Sequence, residues 1–158
     1  MDHERALRAH LVKLLDWEDA HAGVAKAIAG IPARVRGIVP KGAAHSAWQL
    51  VEHLRIAQRD ILDFCVDPGY AERPMSEYWP KTASPPTDAA WKKSVAGIRR
   101  DVGELKRLAN DRTIDLFARI PHGSGQTYLR ELLLVADHNA YHAGQLVALR
   151  KQLGAWKG

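Results

Sequence analysis

The chain has 158 residues, 46% hydrophobic and 26% charged, which suits a single domain spanning residues 1–158 with a buried core. Its net charge of +5 is carried by scattered Lys and Arg residues with no recognition motif and no interleaved aromatics, which argues against nucleic-acid binding. No apolar run approaches the ~18 residues of a membrane helix, and the opening MDHERALRAHLVKLL lacks the apolar region of a secretory signal. The lone cysteine, Cys65, allows no internal disulfide and fits a reducing, cytoplasmic setting.

The first predicted helix runs from about Asp2 to Ala29. Leu7, His10, Leu11, Leu14, Trp17, His21, Ala25 and Ile28 trace one stripe at helical spacing. The segment GIPARVRGIVPKG then breaks the pattern with two prolines and three glycines. A second helix opens at Ser46, where Gln49 completes a capping-box pattern, and continues through Leu50, His53, Leu54, Ala57, Ile61 and Phe64 to near Cys65. Residues 66–85 hold four prolines and three aromatics; a connection this long and this aromatic reads as a packed crossover. A third helix starts after the Thr87 cap and ends near Asn110. A fourth starts around Thr127 and ends near Leu153, with Gly154 as its C-cap. No stretch alternates with period 2. The expected architecture is all-α: a four-helix bundle with a long crossover between helices 2 and 3.

Chemistry is concentrated in the histidines. Residues four apart on a helix point nearly the same way, so His138 and His142 project together from the last helix. His53 lies beside the apolar row of the second helix, and a bundle core can bring such residues face to face. Three imidazoles can hold a divalent ion and leave a coordination position open, the arrangement of a catalytic site. The alternative is a set of core histidines satisfied by hydrogen bonds and kept neutral by burial. Other motifs fail. Asn139 follows His138, so the HExxH form of metalloproteases is absent. Glu18 and His21 make a single Glu-x-x-His step where a di-iron bundle needs two. GSGQ is too short for a phosphate loop, and nothing around Cys65 suggests a lowered thiol pKa.

HSAWQLVEHLRIAQRDILDF and DHNAYHAGQLVALRKQLG, above all the element Tyr141-His142-Ala143-Gly144-Gln145, resemble the DinB-like family of four-helix bundles. The resemblance covers essentially the whole chain. It implies an up-down-down-up topology and a divalent ion, often zinc or nickel, on His53, His138 and His142; the imidazole-only donor set itself suits zinc, nickel, copper or iron. Members of that family include metal-dependent enzymes that use low-molecular-weight thiols, as S-transferases or as a maleylpyruvate isomerase, and many with no assigned reaction.

The expected function is accordingly that of a metal-dependent enzyme, a thiol-dependent S-transferase or a hydrolase acting on a small-molecule substrate, with a low-molecular-weight thiol as its partner. A non-catalytic metal- or ligand-binding bundle of the stress response is the alternative, and a bundle without metal is the third reading. His21 is the one catalytic candidate outside the ligand set, as a proton shuttle facing the same cavity; the alternative is a satisfied core histidine. Gln145 and Glu131 are candidates for hydrogen bonds to the ligand imidazoles. Trp48, Trp79 and Trp91 read as core or crossover anchors, His45 and His122 as loop residues, and His3 and His10 as surface or interface residues. A homodimer is expected because small bundles commonly pair by two-fold symmetry.

Overall fold

Side-chain caps set where the helices start. Asp2 accepts a hydrogen bond from the Arg5 amide, Ser46 from Gln49, Thr87 from Ala90 and Thr127 from Arg130, each satisfying an amide that has no partner inside its helix. At Ser46 the box closes in both directions, because the Gln49 side chain accepts the Ser46 amide at 3.0 Å. The computed structural model describes residues 2–157. Its helices are α1 (His3–Leu14), α2 (Val24–Ile28), α3 (Ala47–Val66), α4 (Asp88–Asn110) and α5 (Tyr128–Gln152), with short 3₁₀ turns at Ala33–Val35 and Met75–Glu77. Among the described residues the only β feature is an isolated antiparallel bridge between Arg119 and Thr127. None of these helices is long and apolar enough to cross a membrane.

The long first helix of the sequence reading is corrected to two. α1 stops at Leu14, and residues 15–23 turn the chain before α2. The two pieces pack on different partners: α1 chiefly on α4, and α2 on α5. Leu11 and Leu15 join a core cluster with Leu105, Leu108 and Leu132, whereas Ala27 and Ile28 join another with Trp48, Leu54 and Leu146. One straight helix cannot serve both clusters, so packing overrides local propensity. Gly23 caps α2 where the turn closes back on itself; a Cβ there would come within 3.0 Å of Glu18. Trp17 and His21, placed on the buried stripe by periodicity, are exposed as a result.

α5 ends as its sequence suggests. Gly154 adopts a φ of +61°, and the Gly154 and Ala155 amides fold back onto the Lys151 and Arg150 carbonyls. α3 packs against both α4 and α5. Between the two apolar clusters lie buried polar residues, Gln58 on α3 and Asn139 on α5.

Candidate metal centre

The site is built where two core helices, α3 and α5, pack together. The apolar row Leu50, Leu54 and Ala57 turns one face of α3 inward and carries His53 with it. On α5 the pair His138 and His142 stands one turn apart, with ring centroids 4.5 Å from each other. The His53 ring lies 5.0 Å from that of His138 and 4.7 Å from that of His142. One nitrogen from each of the three imidazoles lies within 4.8 Å of the others.

Hydrogen bonds orient two of the rings. His53 Nδ1 donates to the Tyr78 carbonyl at 2.9 Å, and His142 Nδ1 donates to Gln145 Oε1 at 2.8 Å. Both partners are acceptors, so the proton sits on Nδ1 and the Nε2 lone pair is free. Burial supplies the rest. It is the main cause that pushes the His53 and His138 imidazoles down to about 4 and lowers that of His142 as well. Three neutral imidazoles are the form in which histidine binds metal. His53 Nε2 and His138 Nε2 are 3.0 Å apart. Ligand nitrogens around a tetrahedral zinc, with bonds of about 2.05 Å, stand roughly 3.3 Å apart, so the spacing of this pair, the neutral charge state and the tautomers of His53 and His142 fit a divalent ion; without an ion, His138 Nε2 can donate to His53 Nε2 across the same 3.0 Å.

Trp79, from the crossover between α3 and α4, closes one side of this cluster. Its indole lies flat on the His53 ring, with 3.8 Å between centroids and planes 3° apart, and His45 stacks on its other face, also at 3.8 Å. Tyr78 is tied at both ends: its carbonyl takes the His53 proton and its phenol donates to Asp60 at 2.5 Å. Beyond His53 and His138 opens a cavity of about 690 Å³, walled by Ala57, Ile61, Phe64 and Leu134 and by the carboxylates of Asp60 and Glu131.

His53, His138 and His142 are thus brought together. His21 is not. It is exposed on the turn after α1, with Nδ1 3.2 Å from the Ala22 carbonyl, and lines a separate cavity of about 270 Å³ beside Trp17 and Asn139. The break at Leu14 removes the helix that was to carry it toward the triad. Gln145 holds His142, whereas Glu131 pairs with Arg130 at 2.7 Å and bonds to none of the imidazoles. His45, Tyr78 and Asp60 were missed by sequence reasoning. The aromatic content of the crossover was the one available hint that it packs on the site.

Comparison with curated proteins gave no significant match, and neither did comparison with solved structures. A protein-family model described as the DinB superfamily does match, over residues 16–146, a span that contains His53, His138 and His142 together with α3, the crossover and most of α5. The chain therefore belongs to the DinB superfamily.

Proposed function

We propose that this protein is a metal-dependent enzyme whose three histidines hold a divalent ion at the end of the large cavity, and that it acts on a small electrophile as a thiol-dependent S-transferase or a hydrolase. The observation that carries this reading is the convergence of three imidazoles, two of them oriented by hydrogen bonds, beside a cavity of about 690 Å³. An all-imidazole donor set suits zinc, nickel, copper or iron, and the family resemblance puts zinc or nickel first. Such an ion lowers the pKa of a water or thiol that joins it and polarises a substrate carbonyl.

The protein's own groups then do the rest. His53, His138 and His142 stay neutral; Tyr78 fixes the tautomer of His53 and Gln145 that of His142, so each presents its Nε2 lone pair. Trp79 shields the face of His53 from solvent, and Phe64, Ile61 and Leu134 offer apolar surface to the substrate. Placement in the core clusters supports an up-down-down-up bundle, with α1 and α2 together as its first member. Trp91 and Ile98 of α4 share a cluster with the start of α3, and Leu105 and Leu108 share one with its end. Two neighbouring helices running the same way need a long crossover, and residues 67–87 supply it.

The test uses protein purified without a nickel column. One ion per chain is expected, together with turnover of an electrophilic substrate that needs a thiol or water and is lost in His142→Ala. Metal content well below one per chain that added metal does not restore sinks the reading, as does unchanged activity in His142→Ala.

A further inference from the structure

Two buried polar atoms beside the triad have no hydrogen-bond partner among the described residues: His138 Nδ1 and Asn139 Oδ1. They belong to neighbouring residues. Asn139 is only 3% exposed, and burying an amide oxygen without a partner costs its full desolvation. The position therefore asks for a reason.

Its orientation is dictated from the far side. The Ile98 carbonyl can only accept, so Gln58 must turn Nε2 toward it, at 2.8 Å. That leaves Gln58 Oε1 to accept from Asn139 Nδ2, again at 2.8 Å. Asn139 is thereby fixed with its amide nitrogen toward Gln58 and its oxygen as a spare acceptor. Gln58 is 1% exposed, so solvent does not offer an alternative pairing. On the other side, His138 Nε2 is the nitrogen that faces His53. When Nε2 gives its lone pair to an ion, the ring proton sits on Nδ1 and needs an acceptor. Adjacent helical side chains diverge by about 100°, so they meet only where the imidazole turns Nδ1 toward its neighbour.

We propose that Asn139 is the positioning residue for His138, its Oδ1 taking the Nδ1 proton once Nε2 is a ligand. The relay His138–Asn139–Gln58–Ile98 then joins α5, α3 and α4. It gives the third imidazole the kind of oxygen acceptor that Tyr78 and Gln145 give the other two. The proposal rests on the metal reading of the triad.

The experiment measures Zn²⁺ affinity of metal-stripped protein by competition with a chromogenic chelator, and the thermal midpoint without metal. Asn139→Ala is expected to bind Zn²⁺ about 10- to 100-fold more weakly than wild type. Asn139→Asp keeps an oxygen acceptor and should recover most of that affinity. Both variants lose the donor to Gln58, so both should melt lower without metal. Affinity that follows the melting temperature in both overturns the proposal in favour of a packing role. Asn139→Ala binding as tightly as wild type overturns it as well. Gln58→Met, which removes the anchor without touching residues near the ion, covers the case in which Asn139→Ala does not fold. It should also weaken binding, and unchanged affinity there counts against the relay. A wild type that binds no Zn²⁺ overturns the metal reading and the relay together, whereas tight wild-type binding with indifferent variants overturns the relay alone.

Discussion

Burial holds His53 and His138 at about 4, below the ordinary histidine value of 6.5, and that difference has a thermodynamic consequence. Between those values the unfolded chain takes up protons that the folded chain refuses. Stability is therefore fully present above about pH 6.5 and falls as the pH drops toward 4. Urea unfolding with a chelator present should show this decline, and His138→Gln should flatten it. Equal slopes for wild type and variant between pH 6.5 and 4.5 would show that these rings titrate normally. The same shift weakens the competition of protons with a metal for His53 and His138 until the pH nears 4.

At the scale of elements, the crossover does more than join α3 to α4. Asp60 is buried, and its Oδ2 accepts from Tyr78 at 2.5 Å and from Tyr70 at 3.2 Å. Both phenols are pushed up in pKa, chiefly by burial and then by that carboxylate, so they remain donors at neutral pH. Tyr78→Phe should cost about 1–2 kcal/mol in urea unfolding, since a hydrogen bond to a charged group is lost while Tyr70 remains. The Tyr78 carbonyl is untouched, so metal affinity should change little; a large loss of affinity with no loss of stability would contradict this division of labour. Caps at Ser46 and Thr87 were legible because capping is decided within three residues, and His138 with His142 because helical spacing is local. The break after Leu14 was not, because it answers to two separate core clusters far along the chain. Nor was the stack of Trp79 between His45 and His53, which exists only once the crossover is folded down.

The whole molecule is where metal binding and folding become one equilibrium. His53 comes from α3 and His138 and His142 from α5, so the ligand set exists only when those helices are packed. An unfolded chain scatters these nitrogens, and an ion that binds the folded form alone must stabilise it. At a free concentration 100-fold above its dissociation constant the gain is about 2.7 kcal/mol. For a chain of this size each kcal/mol moves the melting midpoint by roughly 2–4 °C, so zinc should raise it by about 5–11 °C. The increment must depend on metal concentration and vanish in His53→Ala, because two ligands one turn apart on α5 no longer bridge two helices. Melting curves with added zinc and with chelator measure it directly. A midpoint indifferent to zinc in the wild type would mean that the three imidazoles are a core cluster satisfied without an ion. An increment that survives in His53→Ala would place the ion elsewhere in the fold.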